Sequence, residues 1–170
     1  LMAAGRGAAV EVMARGAARV ISYLLGEGRL DGIVALGGSG GSAIATAAMR
    51  ALPVGVPKLM VSTLASGDTR AYVGAVDITM MYSVVDVAGI NSVSARIIAN
   101  AAAAIAGMAA TKAPAIESKP LIAASMFGVT TPCVTHARAL LEERGYEVLV
   151  FHATGTGGQS MERLAREGFL

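Results

Sequence analysis

"IVALGGSGGSAIATAAMRAL", running from Ile33 to Leu52, decides the fold class. A β-branched run stops at Gly37, Gly38, Ser39, Gly40, Gly41 and Ser42, and an Ala-rich helical pattern follows at once. Gly loses more backbone entropy on ordering than any other residue, and an ordinary strand-to-helix turn needs one or two. Four in one turn imply either several positive φ angles or a group that must come very close to bare backbone.

On either side of this stretch the same grammar repeats. Gly5 to Gly26 reads as an amphipathic helix, with Val10, Met13, Ala17, Val20, Ile21, Leu24 and Leu25 at three- and four-residue steps. "LDGIVALGG" is a buried strand, and the helix after the turn is expected from about Ser42 to Leu52. "KLMVSTLA" and, from Asp77, "DITMMYSV" are the second and third strands. The link between them, about Ser66 to Val76, is too short for a full crossover helix and predicts a topological irregularity. Asn91 is placed to cap a long helix through Met108. "LIAASMFG" is a fourth strand, and the next helix has Thr131 as N-cap with Pro132 at its first position. "YEVLVFHATG" is the fifth strand, and "TGGQSMERLAREG" the last helix. Strands without polar alternation, separated by helices, predict a mostly parallel sheet covered on both faces: a Rossmann-like three-layer α/β sandwich.

Composition sets the outer limits. A chain of 170 residues fits one domain with a proper core, so residues 1–170 are read as a single α/β lobe. Hydrophobic content is 54% with 15% charged residues, which raises the membrane question. The stretch Ile97 to Ala110 is broken by Asn100 and falls short of the roughly 20 apolar residues of a span, so no membrane partner is expected. A net charge of +2 does not argue for nucleic acid. The single Cys133 excludes an internal disulfide framework and fits a reducing cytoplasm.

Four loops of one chemical character follow four strands, and in parallel sheets those carboxyl ends face one side. A Gly-Ser turn opening a helix presents several backbone amides, to which the helix dipole adds about half a positive charge. Phosphate oxygens suit such a nest, with Ser39 and Ser42 as hydroxyl donors. Thr154, Gly155, Thr156, Gly157 and Gly158 repeat the design. Neither loop is a Walker A motif, since no Lys follows the glycines. In "SGDTR", Ser66, Gly67, Asp68 and Thr69 close the second strand; Asp68 is placed either to hold Mg²⁺ or a ribose hydroxyl, or simply to cap the turn. Asp86 has the same two readings, and Arg70 is placed for a phosphate or a surface ion pair. Gly128, Thr130 and Thr131 would line the same rim, with Phe127 packed on a base or sugar. Cys133 and His136 share a helical face, which fits a nucleophile pair or a small structural thiol. No convincing general base appears, so no reaction is assigned. An enzyme on a small phosphorylated or carboxylated metabolite, and an interaction scaffold dimerising through "SARIIANAAAAIAGMAA", are the alternatives.

Through "ALGGSGGSAIATAAMRALPVGVPKLMVSTLASGDTR", "MFGVTTPCV" and "GYEVLVFHATGTGGQSMERL", nearly the whole chain resembles one family. It is similar to the ATP-binding N-terminal domain family of the tomato mosaic virus resistance protein and its uncharacterised bacterial and fungal relatives. The resemblance implies ATP as ligand, with Mg²⁺ as a companion ion, self-association as a dimer, and a second α/β lobe in the same protein. It further implies a preceding strand with a Lys-bearing loop, so this chain is expected to be part of a longer two-lobe protein.

Overall fold

A computed structural model describes residues 5–170, which divide into two compact units, one ending at Lys112 and one running from Ala113 to Leu170. The first contains α1 (Gly5–Gly26), β1 (Ile33–Gly37), α2 (Ser39–Arg50), β2 (Lys58–Ser62), α3 (Arg70–Val73), β3 (Thr79–Tyr82) and α4 (Ser92–Ala110). The second contains β4 (Leu121–Met126), α5 (Thr131–Glu143), β5 (Glu147–His152) and α6 (Gly157–Arg166). The architecture is α/β and Rossmann-like, with parallel strands flanked by helices.

In the first unit the strands run parallel in the order β1-β2-β3, with Gly37 beside Ser62 and Ser62 beside Tyr82 at their carboxyl ends. Every residue of β2 is buried, as its central place requires. Its pleat divides the core. Met60 packs with Met49 of α2 and with Ile78, while Leu59 and Val61 pack with Ala101, Ile97, Ala104 and Ile105 of α4. Helices therefore cover both faces of this sheet. The outer strand β1 is less protected, and Val34 and Leu36 remain exposed.

Between Ser62 and Thr79 the chain makes only the single turn of α3, yet β3 still joins β2 in parallel. The strand order is regular, without the expected irregularity, and Arg50, in the last turn of α2, ties the short crossover to that helix. Its Nη1 donates to the Tyr72 carbonyl, to that of Ala71 at 3.4 Å and to Thr46 Oγ1 at 3.3 Å. Burial lowers the Arg50 pKa from its ordinary value.

α2 begins at Ser39, inside the Gly-Ser run rather than after it. α4 is capped as its sequence predicts: Asn91 Oδ1 accepts from the amides of Val93 and Ser94, both at 2.9 Å, and Ser94 Oγ accepts from the Asn91 amide at 2.8 Å. α4 reaches Ala110, and by length and composition it is long and apolar enough to cross a membrane. One of its stripes faces the sheet, and much of its small-residue surface is exposed.

The second unit has β4 and β5 paired in parallel, with Met126 beside His152 at their carboxyl ends. A short 3₁₀ turn, Gly128–Thr130, precedes α5, so Thr130 rather than Thr131 is the capping residue, with no side-chain cap bond.

At the opposite, amino edge of the first sheet lies a buried cation. The Lys58 side chain has 0% exposure, and its Nζ donates to Pro53 O at 2.7 Å, Val56 O at 2.8 Å and Asp77 Oδ1 at 2.8 Å. Asp77 Oδ2 accepts from the Gly55 amide at 2.8 Å and keeps 41% of its side chain in solvent. Removing the carboxylate leaves the buried charge uncompensated, so Asp77→Ala is expected to cost about 3–5 kcal/mol of stability. Lys58→Met leaves Asp77 free to rehydrate and strands only the two carbonyls, so it should cost about 1–3 kcal/mol. Urea unfolding checks the order: Lys58→Met proving the more damaging would contradict this account.

Candidate functional site

The carboxyl edge of the three-stranded sheet assembles residues from three strand ends. Gly37 ends β1 and Gly38 is the N-cap of α2, at φ −82° and ψ −159°, with no side-chain cap bond. The amides of Ser39, Gly40 and Gly41 form the first turn of α2, the positive end of its dipole.

The four glycines are not there for left-handed backbone, since none has positive φ. Gly37 is explained by packing, because a Cβ there would lie 3.1 Å from Gly41 Cα. Among the described residues the other three have room. An added Cβ would find Thr63 Oγ1 at 3.6 Å from Gly38, Arg6 Nη2 at 3.6 Å from Gly40 and Leu36 O at 3.8 Å from Gly41. The fold accommodates side chains at these positions, and the sequence has none.

The guanidinium beside Gly40 belongs to the exposed Arg6 of α1, a residue given no role by sequence reading. A cation at the positive end of a helix is electrostatically disfavoured until an anion joins it. Sequence alone offers no signal for Arg6, which lies 34 positions before Gly40 and arrives through the packing of α1 on α2.

Ser39 is exposed in this turn, whereas Ser42 lies beneath it. The Ser42 and Ser62 hydroxyls share a buried hydrogen bond of 2.7 Å, and Ser62 Oγ accepts from the Leu64 amide at 3.1 Å. Thr46 Oγ1 donates to Ser42 O at 2.7 Å. Ser42 therefore ties α2 to the end of β2 and is not a surface donor.

Ser66, Gly67, Asp68 and Thr69 follow β2 within the same unit. Asp68 is engaged by Arg70 in a two-pronged pair, Nε to Oδ1 at 2.9 Å and Nη2 to Oδ2 at 2.6 Å, and its Oδ1 also accepts from the Arg70 amide at 3.0 Å. The side-chain bond from Arg70, then the amide bond, lowers the Asp68 pKa to about 2. The same pairing raises the Arg70 pKa. Among the described residues no group of three His, Cys, Asp or Glu side chains is placed to hold a metal ion.

The remaining sequence candidates belong to the second unit, at the carboxyl edge of β4 and β5. Phe127 meets the His152 ring edge-on at 5.9 Å. Thr130 Oγ1 bonds the amide and carbonyl of Phe127, at 3.0 and 2.9 Å. Thr154 Oγ1 lies 2.9 Å from His152 Nδ1. These hydroxyls are engaged locally. Backbone geometry explains the glycines: Gly128 and Gly155 have φ of 37° and 72°, and a Cβ on Gly157 would collide with the His152 carbonyl group. Among the described residues Gly128, Gly155 and Gly158 all have open space, and of these only Gly158 lacks a positive φ. Thr156 is the N-cap of α6, without a side-chain cap bond, and Thr131 is the first residue of α5. Cys133 and His136 are exposed on α5, and the thiol is free.

The chain resembles described proteins over nearly its whole length. It is 60% identical over 166 residues to a UPF0261 protein of Clostridium tetani, covering 97% of this chain and 41% of that protein. A UPF0261 protein of Mesorhizobium japonicum is 53% identical, over 97% of this chain and 41% of its own length. The ToMV resistance protein Tm-1 of Solanum lycopersicum is 45% identical, over 97% of this chain and 23% of its own length. The chain thus spans about two fifths of the two bacterial relatives. Residues 1–114 match the N-terminal domain of the uncharacterised protein family UPF0261, and residues 119–170 match its C-terminal domain, a division that coincides with the two structural units. The chain belongs to the UPF0261 family.

Proposed function

We propose that the first turn of α2 binds the phosphate groups of a nucleotide, ATP by family resemblance. One observation carries this reading: Gly38, Gly40 and Gly41 leave uncapped helix amides bare where the fold has space for side chains. Backbone free of Cβ atoms lets anionic oxygens approach several amides at once. Arg6 supplies the point charge that a Lys supplies in a Walker A loop.

Mg²⁺ has weaker support. Asp68 is held in a bidentate pair by Arg70, which occupies both its oxygens, and a cation would have to displace the guanidinium. The second unit's turn adds little, because its glycines and threonines are accounted for by local geometry. The function proposed is binding, with no reaction assigned.

Gly40→Ala separates ligand approach from folding. Among the described residues its new methyl meets only Arg6 Nη2, at ordinary contact distance, and Ala raises helix propensity by about 1 kcal/mol over Gly. The variant should melt no lower than the parent yet bind ATP about tenfold or more weakly in calorimetry. Unchanged ATP affinity would remove this turn from the site, and binding of sugar phosphates but never ATP would end the nucleotide reading.

A second measurement addresses Asp68. Because its folded pKa is depressed, the pair's contribution is present above the ordinary value of 3.8 and lost as pH falls through about 2. The carboxyl chemical shift of Asp68 should titrate near 2, and Arg70→Ala should move that midpoint back towards 3.8. A midpoint indifferent to Arg70→Ala would show that the ion pair does not persist in solution.

A further inference from the structure

Beside the glycine turn, at the ends of β2 and β3, lies an open groove of about 270 Å³ lined by Thr63, Tyr82, Ser83, Val84, Val85 and Asp86. Whole-ligand pockets run to roughly 300–1,000 Å³, so this groove suits a portion of a ligand. It adjoins the turn directly: the Thr63 amide donates to Gly37 O at 3.3 Å, and Thr63 Oγ1 is the nearest atom to a Cβ built on Gly38.

The segment forming its far wall is held in an unusual shape. Val84 has φ of 62°, and it is the only non-glycine with positive φ among the described residues. A β-branched side chain rarely adopts that strained conformation, and such strain concentrates at ligand sites. The buried Ser83 holds the bend, its amide donating to Ser62 O at 3.2 Å and its hydroxyl to Val85 O at 2.7 Å. The bend places Asp86 in the groove, where its Oδ1 accepts from the Val87 amide at 2.8 Å.

Charge changes sign along this edge. Bare amides and Arg6 favour an anion at the end of β1, whereas Asp86, past the end of β3, repels one. A ligand spanning both carries phosphate at one end and hydrogen-bond donors at the other. Vicinal hydroxyls satisfy a carboxylate by donating to both of its oxygens, the chemistry of acidic residues at ribose sites. We infer that the Thr63–Asp86 groove is the ribose subsite of the nucleotide proposed above, with Asp86 accepting from the sugar hydroxyls. This inference rests on that reading.

Calorimetry on the whole chain separates the two. Parent and Asp86→Asn proteins are titrated with ATP, 2′,3′-dideoxy-ATP and inorganic tripolyphosphate. Asn keeps the acceptor for Val87 and converts the second oxygen to a donor, so the exposed site should stay folded. The parent should hold ATP about tenfold or more tighter than the dideoxy analogue, the factor for a charge-assisted hydrogen bond. Asp86→Asn should lose that preference and keep its tripolyphosphate affinity. The subsite is overturned, with the phosphate turn intact, if Asp86→Asn still prefers ATP by the parent factor, or if the parent never distinguishes the two. A matching fall in tripolyphosphate affinity also overturns it, since Asp86 would then act on the turn. Failure of the parent to bind any of the three defeats the nucleotide reading and the subsite together.

Discussion

The ammonium of Lys58 lies in the interior at the head of the one strand that is buried along its whole length, and the first unit is organised around satisfying it. Its three donors reach two carbonyls of the loop leaving α2 and the carboxylate that precedes β3. Each is a group that must be in place for β2 to sit between its neighbours. An ion pair of this kind contributes little net stability over an apolar equivalent, because desolvation offsets the attraction. It is costly to break, however, and so specifies one arrangement of the connections. With the amino edge fixed in this way, the strand ends on the other side are brought level.

At that other side the sheet is tied by hydroxyls rather than charges. Ser42 and Ser62 join the glycine turn to β2, and Thr46 and Arg50 continue the polar seam down α2 to the carbonyls of α3. The seam runs beneath the candidate phosphate site. It anchors the turn from below, while Gly38, Gly40 and Gly41 above it carry no side chain of their own, the combination that preorganised anion recognition requires. The two structural units differ here: in the second, Thr154 bonds the His152 ring and Thr130 bonds the Phe127 carbonyl.

Much of the fold was legible in the residues. Apolar strands, Ala-rich helices and the Asn91 cap are local signals, and each element formed close to where its pattern lies. Legibility failed where tertiary contacts decide. The start of α2 within the Gly-Ser run depends on the turn packing against its own strand, which Gly37 permits by approaching Gly41. The compact crossover to β3 depends on a distant arginine. The division of the chain at Lys112 lies in a Pro- and Lys-containing connection that reads equally well as a long loop. For the candidate site, the glycines were visible but the reason for each was not: packing explains Gly37 and Gly157, and only the structure separates these from Gly38, Gly40 and Gly41. Arg6 and Lys58 were invisible as contributors, because single basic residues carry no pattern until folding gives them neighbours.

Gly157 has a consequence of another kind. The chain doubles back there so tightly over His152 that not even one additional carbon fits. Such a position is locked by the polypeptide's own course, independently of anything bound nearby. Drift during evolution would have to rebuild the whole bend before replacing this residue. Invariance at 157 would therefore record inherited shape, whereas invariance at 38, 40 or 41 would record selection for what the protein holds.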